Sequence, residues 1–299
     1  MQISFSQKLK SELALIEEKK NCCRRALFYG LLFAAECGAD EAVSATFSQP
    51  DVSALFGALA RDCIKRETEA AERVEYGRRK WLHTFSAKRV TAFLHALDGQ
   101  GGASLSELAE FRCAECSRSF LRGVFLAQGT VSDPEKGFHA EIVSASAQRA
   151  DLLDELLATE GFPARRVTRG ARIGLYYKKN EEIEEFFTAI GAVHAALDLI
   201  NLKIEKEIRN NENRATNCVA KNIARTVDAV AKQIAAIEKL REHGVLESLS
   251  EDLRTTGELR LQHDEASLAE LAAAHVPPIS KSGLNHRLTR LTEMADKLK

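Results

Sequence analysis

The chain has 299 residues, of which 45% are hydrophobic and 28% charged, and a formal net charge of -1 at pH 7. That length holds two domains, each able to bury its own core, and the near-neutral charge excludes a wholesale polycation, so any nucleic-acid contact must rest on local basic patches. The start lacks a basic segment followed by an apolar run, and no stretch of about 18 apolar residues occurs. Neither a signal peptide nor a membrane span is therefore expected, and the protein is read as cytoplasmic.

Taken in order, Phe5, Leu9, Leu13 and Ile16 fall on one face of a predicted amphipathic helix over 4–20, with Lys8, Lys10, Glu12 and Glu17 off it. Next comes an internal repeat. The stretch from Cys23 to Gly38 resembles that from Cys116 to Gly129, with Cys23 on Cys116, Arg25 on Arg118, Gly30 on Gly123 and Ala34 on Ala127. Glycine inside a helix costs roughly 1 kcal/mol against alanine, so Gly30 and Gly123 are expected to serve close helix–helix approach, with Ala34 and Ala127 extending the small faces. The segments after each copy also correspond. The first copy continues as a strand 43–48, a helix 53–66, a hairpin 72–85 turning at Gly77 and a helix 88–97; the second as a strand 138–144, a helix 148–160, a hairpin 163–178 turning near Gly170 and a helix 181–190. Two tandem α/β units predict a pseudo-twofold domain, with Gln100-Gly101-Gly102-Ala103-Ser104 as the linker between them.

Cys22-Cys23 and Cys113-Ala-Glu-Cys116 invite a zinc reading, since two thiolate pairs close a tetrahedral site. Adjacent cysteines chelate poorly, however, and the C-x-x-C has no second pair of its own form. The expectation is small buried residues and no metal.

Both hairpins are basic. Arg165, Arg166, Arg169, Arg172, Lys178 and Lys179 occur with Tyr176-Tyr177 and no acid between Arg165 and Lys179. The first hairpin has Arg73, Arg78, Arg79 and Lys80 with Tyr76 and Trp81. Such hairpins suit a phosphate backbone; a solvated strand face is the alternative. A helical region comes next over about 199–243, closed by Gly244 and interrupted by a polar loop or kink at Arg209–Asn217. Val219, Ile223, Val227, Val230, Ile234, Ile237 and Leu240 make an apolar stripe expected to be core or inter-domain packing. Lys221 and Arg225 lie beside it as further phosphate contacts or solvated charges.

Near the C-terminus, Ser267 with Glu270 forms a capping box, and Ser280 is placed to cap a last helix across a Pro-containing turn. A first helix of this domain begins near Leu246, Leu249 and Leu253. In the last helix, Leu284, Leu288, Leu291, Ala295 and Leu298 share one stripe. Ser282, Asn285, His286, Thr289 and Arg290 then face outward, with Lys281 and Arg287 flanking. A short polar, cationic face near a helix N-terminus is where a recognition helix meets base edges. Asn and Arg can bond bidentately to adenine and guanine, and Lys and Arg neutralise phosphates.

With these motifs in hand, the chain resembles the WhiA family of bacterial DNA-binding proteins along its whole length. The likeness is most specific in Phe120-Leu-Arg-Gly-Val-Phe-Leu-Ala-Gln-Gly-Thr-Val-Ser-Asp-Pro-Glu-Lys-Gly-Phe-His139, in Asn213-Arg-Ala-Thr-Asn-Cys218 and in Pro278-Ile-Ser-Lys-Ser-Gly-Leu-Asn-His-Arg-Leu288. The resemblance implies an α+β protein: a domain similar to LAGLIDADG homing endonucleases over 1–197, with tandem pseudo-twofold repeats about 21–98 and 114–192, a helical linker over 198–244, and an all-α helix-turn-helix domain over 245–299. It further implies double-stranded DNA as partner and a bacterial, nucleoid-associated protein of cell division and chromosome segregation that controls sporulation genes in sporulating relatives. The alternative it permits is an adaptor that docks on RNA polymerase, its sigma factor or a division component through the N-terminal domain.

In active homing endonucleases each repeat helix ends on a carboxylate, and the two acids hold divalent metal over the scissile phosphates. Here those positions carry Gln128 and Ala35, with Glu36 one residue off, about 100° around a continuing helix. An amide does not supply the charge a hard cation prefers. The expectation is a nuclease-like scaffold that does not cut, with no catalytic residue, metal, cofactor or small-molecule substrate; residual metal-dependent cleavage is the alternative.

Overall fold

The computed structural model describes residues 3–68, 70–75, 77–99 and 102–298, without the side chain of Arg78. Tyr76 of the first basic hairpin and Gln100-Gly101 of the expected linker lie outside the described residues.

Ser4 and Gln7 form a reciprocal capping box that starts α1 (Phe5–Ala14). The helix stops there instead of running to residue 20 as expected: Leu15 is 80% exposed, and Glu18 turns inward to meet Arg122 Nη1 at 2.7 Å and the Ser119 hydroxyl at 2.7 Å. Then come α2 (Asn21–Leu32), β1 (Glu36–Cys37), β2 (Val43–Phe47), α3 (Pro50–Ile64), the hairpin β3 (Ala70–Glu75) and β4 (Arg78–Phe85), and α4 (Lys88–Asp98). A short α5 (Leu105–Leu108) follows the predicted linker, whose last residue, Ser104, caps it. The second half repeats the plan with α6 (Cys116–Gln128), β5 (Gly129–Val131), β6 (Ala140–Ser144), α7 (Ala147–Thr159), β7 (Arg165–Arg169), β8 (Arg172–Tyr177) and α8 (Asn180–Ile190). Both sheets are antiparallel and share one strand order, β1-β2-β4-β3 and β5-β6-β8-β7, as a duplicated unit requires. β1 and β5 are too short to show an alternating pattern and were not anticipated from the sequence.

The two halves meet through α2 and α6. A Cβ on Gly30 would lie 2.2 Å from the Phe120 carbonyl oxygen, and one on Gly123 would lie 2.3 Å from that of Leu27. The helices thus touch backbone to backbone. The small face does not continue to Ala34, which lies past the end of α2 and is exposed. Around this crossing a single apolar core, including Phe28, Phe56, Phe120, Phe125 and Phe186, runs through both halves.

The chain continues as one uninterrupted helix, α9 (Val193–Glu242), of 50 residues. Glu12 accepts hydrogen bonds from the backbone N–H groups of His194 and Ala195 at 2.8 and 3.0 Å, satisfying donors at its start. No loop interrupts it at Arg209–Asn217: the stretch has neither Gly nor Pro, and its polar side chains tolerate a helix. Gly244, at φ +68°, ends it, with the N–H of Val245 bonding back to the Leu240 carbonyl.

The chain divides into two compact units after Lys206. Ala195, Ala196 and Leu199 of α9 join the first core, and Ala236, Ile237 and Leu240 join the second. The predicted stripe on α9 is core only in these last turns, since Val219, Ile223 and Val227 are more than half exposed. The second unit adds a turn of 3-10 helix at Leu246–Ser248, then α10 (Glu251–Gln262), α11 (Leu268–Ala273) and α12 (Lys281–Asp296). Among the described residues no helix is long and apolar enough to cross a membrane.

Gly123→Ala drives a methyl group into backbone and is expected to lower unfolding free energy by about 2 kcal/mol or more in urea titrations. Gly161→Ala, where no atom lies within 4 Å of the added carbon, costs only the strain of its positive φ and serves as the comparison. Equal effects at both positions would contradict the close approach of α2 and α6.

Candidate nucleic-acid interface

Ser267 and Glu270 make the predicted capping box of α11, and the Ser280 hydroxyl accepts the Gly283 N–H at 3.1 Å to start α12. Between the helices, His275 is buried, with Nδ1 2.9 Å from the Leu271 carbonyl and Nε2 3.0 Å from the Thr256 hydroxyl. This fixes the turn against α10. Leu284, Leu288, Leu291 and Ala295 are buried. That forces Lys281, Ser282, Asn285, His286, Thr289 and Arg290 to the exposed side, as their spacing predicts. Arg287 differs. It is half-buried and pairs with Asp252 of α10 at 3.1 Å, so it is tied to its own domain. Lys281 and Arg290 have no carboxylate partner among the described residues.

The basic hairpins are less cationic than their sequence. Arg165 bonds to both oxygens of Glu182 at 2.7 and 3.1 Å, Arg166 pairs with Asp151, and Arg169 bonds to both oxygens of Glu141 at 2.8 and 3.0 Å. Arg79 pairs with Glu72 and Lys80 with Glu75. The acids come from other elements or from the facing strand, which a local charge count misses. Register also splits the set. Arg169 lies opposite Arg172 and shares a face with Glu141, whereas Arg166 lies opposite buried Leu175 and points towards α7. Glu141 itself is 7% exposed, and a Cβ on Gly174 would lie 2.0 Å from its Oε1, so glycine makes room for that carboxylate on the sheet. Arg172 and Lys178 are exposed without a carboxylate partner among the described residues; Lys178 lies 5.5 Å from the Tyr176 ring centre. Lys221 and Arg225 are likewise exposed on α9. Of the Arg78 side chain nothing is described.

At the ends of α2 and α6, where the nuclease resemblance calls for acids, stand two buried cations. Lys10, 5% exposed, donates to the Leu126 carbonyl at 2.9 Å. Arg149, 9% exposed, donates from Nη1 to the carbonyls of Phe33 and Ala35, both at 2.8 Å, and from Nε and Nη2 to Asp98 at 2.7 and 2.6 Å. The terminal carbonyls of a helix lack intrahelical donors and carry the negative end of its dipole, so a cation is the complementary partner. Hydrogen bonds from Arg149 hold the Asp98 carboxyl below its usual range. Gln128, Glu36, Asp98 and Arg149 line a cavity of about 210 Å³. Glu36 begins β1 and is exposed, because α2 has already ended at Leu32; it does not lie around a continuing helix as expected. Lys10, Arg149 and Asp98 carried no motif and were missed. The structure also brings Cys22, Cys23, Cys113 and Cys116 together, although the sequence treats them as separate fillers.

Two family models match the chain, the WhiA LAGLIDADG-like domain over residues 117–209 and the WhiA C-terminal HTH domain over residues 213–295. A relative described as a probable cell division protein WhiA, from Alkaliphilus metalliredigens, is 33% identical over 99% of this chain and 98% of its own. Another of that description, from Heliobacterium modesticaldum, is 34% identical over 98% and 96%. The crystal structure of full-length WhiA from Thermatoga maritima superposes with a TM-score of 0.60, covering 99% of both chains at 22% identity. The N-terminal LAGLIDADG domain of WhiA covers 64% of this chain and 94% of its own, at a TM-score of 0.50 and 19% identity. Both structures share the fold.

Burial lowers the Lys10 pKa from 10.5 to about 8. Between those values the unfolded chain binds more protons than the folded one, so the fold gains stability as pH rises through that window. Lys10→Met is expected to flatten this rise by on the order of 2–3 kcal/mol in urea titrations compared at neutral and alkaline pH. An unchanged slope would mean that Lys10 does not titrate there.

Proposed function

The chain belongs to the WhiA family, and on that premise we propose that it is a sequence-preferring double-stranded-DNA-binding protein that regulates transcription in cell division and chromosome segregation, and sporulation in sporulating relatives. The observation that carries this is the exposed face of α12, where Lys281, Ser282, Asn285, His286, Thr289 and Arg290 run from the helix N-terminus to past its middle above a buried leucine stripe. Asn285 and Arg290 supply the bidentate groups for base edges, while Ser280, Lys281 and the helix N-terminus suit phosphate. Arg287, held by Asp252, positions α12 and adds charge beside it. Arg172, Lys178, Lys221 and Arg225 serve as auxiliary phosphate contacts. Arg79, Lys80, Arg165 and Arg166 contribute by exchanging their carboxylates for phosphate, an exchange that ion pairs open to solvent permit at small cost. Arg169 does so at a higher cost, since it would leave the buried Glu141 unpaired, and Arg78 is proposed as a phosphate contact from its sequence position alone.

The nuclease-like unit is proposed to bind without cutting. Divalent metal in the cavity at these helix ends would sit beside Arg149, which opposes it and already holds Asp98, and Gln128 offers an amide in place of an anion. Neutralisation of the sheet cations within the chain also favours a protein contact for this unit, with RNA polymerase or its sigma factor as the proposed partner. On this proposal the protein works in the cytoplasm, at the nucleoid.

Arg290→Ala and Asn285→Ala are expected to weaken binding to a selected duplex by about 1–3 kcal/mol while leaving binding to random duplex nearly unchanged at the same salt. Equal losses on both would reduce these residues to phosphate contacts. In a plasmid-nicking assay with Mg²⁺ or Mn²⁺ the full chain is expected to leave supercoiled DNA intact. Cleavage that Glu36→Gln abolishes would overturn the non-catalytic reading.

A further inference from the structure

Thiols from the two halves of the first unit converge on one point. Cys22 and Cys23 lie in the first turn of α2, Cys116 opens α6, and Cys113 precedes it. The Sγ atoms of all four lie within 4.8 Å of one another. Cys113 is central, 3.7 Å from Cys22, 3.5 Å from Cys23 and 3.6 Å from Cys116. A zinc ion bound tetrahedrally at about 2.3 Å sets its sulfurs about 3.8 Å apart, close to these three separations. The adjacency of Cys22 and Cys23, which counts against a site in the sequence, is no obstacle here because both sulfurs reach Cys113.

Competing chemistries fit less well. Disulfides join cysteines in pairs at about 2 Å, whereas Cys113 stands nearly equidistant from three partners. An iron–sulfur cluster places several irons and bridging sulfides among its cysteines and needs them farther apart. Cys23 and Cys116 are buried and Cys22 and Cys113 partly so, which shields an ion while leaving it a way in. The backbone N–H of Arg112 lies 3.4 Å from Cys116 Sγ, the kind of donor that steadies a metal-bound thiolate. The N-terminal ends of α2 and α6 also face the four sulfurs, and their dipoles favour anionic ligands.

We propose that Cys22, Cys23, Cys113 and Cys116 form a four-thiolate site for one zinc ion that staples the N-terminal ends of α2 and α6. Each half supplies two ligands, and Cys23 and Cys113 are 90 residues apart, so the ion cross-links the duplicated halves. Farther along, the crossing at Gly30 and Gly123 fixes their approach, and Lys10 and Arg149 hold their C-terminal ends.

The test uses the full chain purified under reducing conditions. Elemental analysis is expected to find one equivalent of zinc. After its removal, Co²⁺ is expected to restore one equivalent with the thiolate-to-cobalt charge-transfer and visible bands of a tetrahedral sulfur site, which added Zn²⁺ erases. Cys113→Ser is expected to lose these signals, and Cys63→Ser to keep them. The wild-type cobalt spectrum decides the matter even where Cys113→Ser fails to fold. Reduced wild-type protein that neither carries zinc nor gives that spectrum would overturn the site, as would full retention of the metal by folded Cys113→Ser.

Discussion

Gly30 and Gly123 let the backbones of α2 and α6 touch, and this contact sets the spacing between the two halves of the first unit. Because the helices meet so closely, each end of the pair becomes a place where groups from distant parts of the sequence are forced together. Thiols gather at the N-terminal ends. At the C-terminal ends the unsatisfied carbonyls draw Lys10 from α1 and Arg149 from α7. A side chain at either glycine would separate the helices and loosen all of these contacts together.

Charge placement obeys the same frame. A nuclease of this architecture needs anions at the helix ends to gather divalent metal, and this chain has installed cations that answer the helix dipoles instead. Burying Lys10 carries a desolvation cost, visible in its lowered pKa, and the Leu126 carbonyl offsets part of it. The sheet cations are largely matched by Glu182, Asp151 and Glu141. The outer face of α12 keeps Lys281 and Arg290 unmatched. Free charge that a polyanion can use is therefore found on the helix-turn-helix and at Arg172, Lys178, Lys221 and Arg225, while most of the hairpin arginines are already matched.

Local patterns were the legible part of the sequence. The capping box at Ser267, the cap at Ser280, the leucine stripe of α12 and the turn glycines at Gly77 and Gly170 are set by residues a few positions apart, and the structure has them where spacing put them. The repeat was legible for a related reason, since each copy carries its own periodicities. Failures came where distant residues decide. Glu18, by reaching Arg122, ends α1 early. Arg149 meets Phe33 and Ala35 across more than a hundred residues, and no motif records it. The acids that neutralise Arg165, Arg166 and Arg169 stand outside the hairpin. At Arg209–Asn217 the error ran the other way: a polar composition suggested a break, yet without Gly or Pro the helix continues.

A crystal structure of the full chain bound to a duplex selected from a random pool, grown with Mn²⁺, tests most directly whether this nuclease-like frame reads DNA without cutting it. The expected map has α12 in a major groove with Asn285 and Arg290 at base edges, intact strands, and no manganese between Glu36 and Gln128. An anomalous manganese peak in that cavity beside a broken phosphodiester, with α12 away from the DNA, would contradict it.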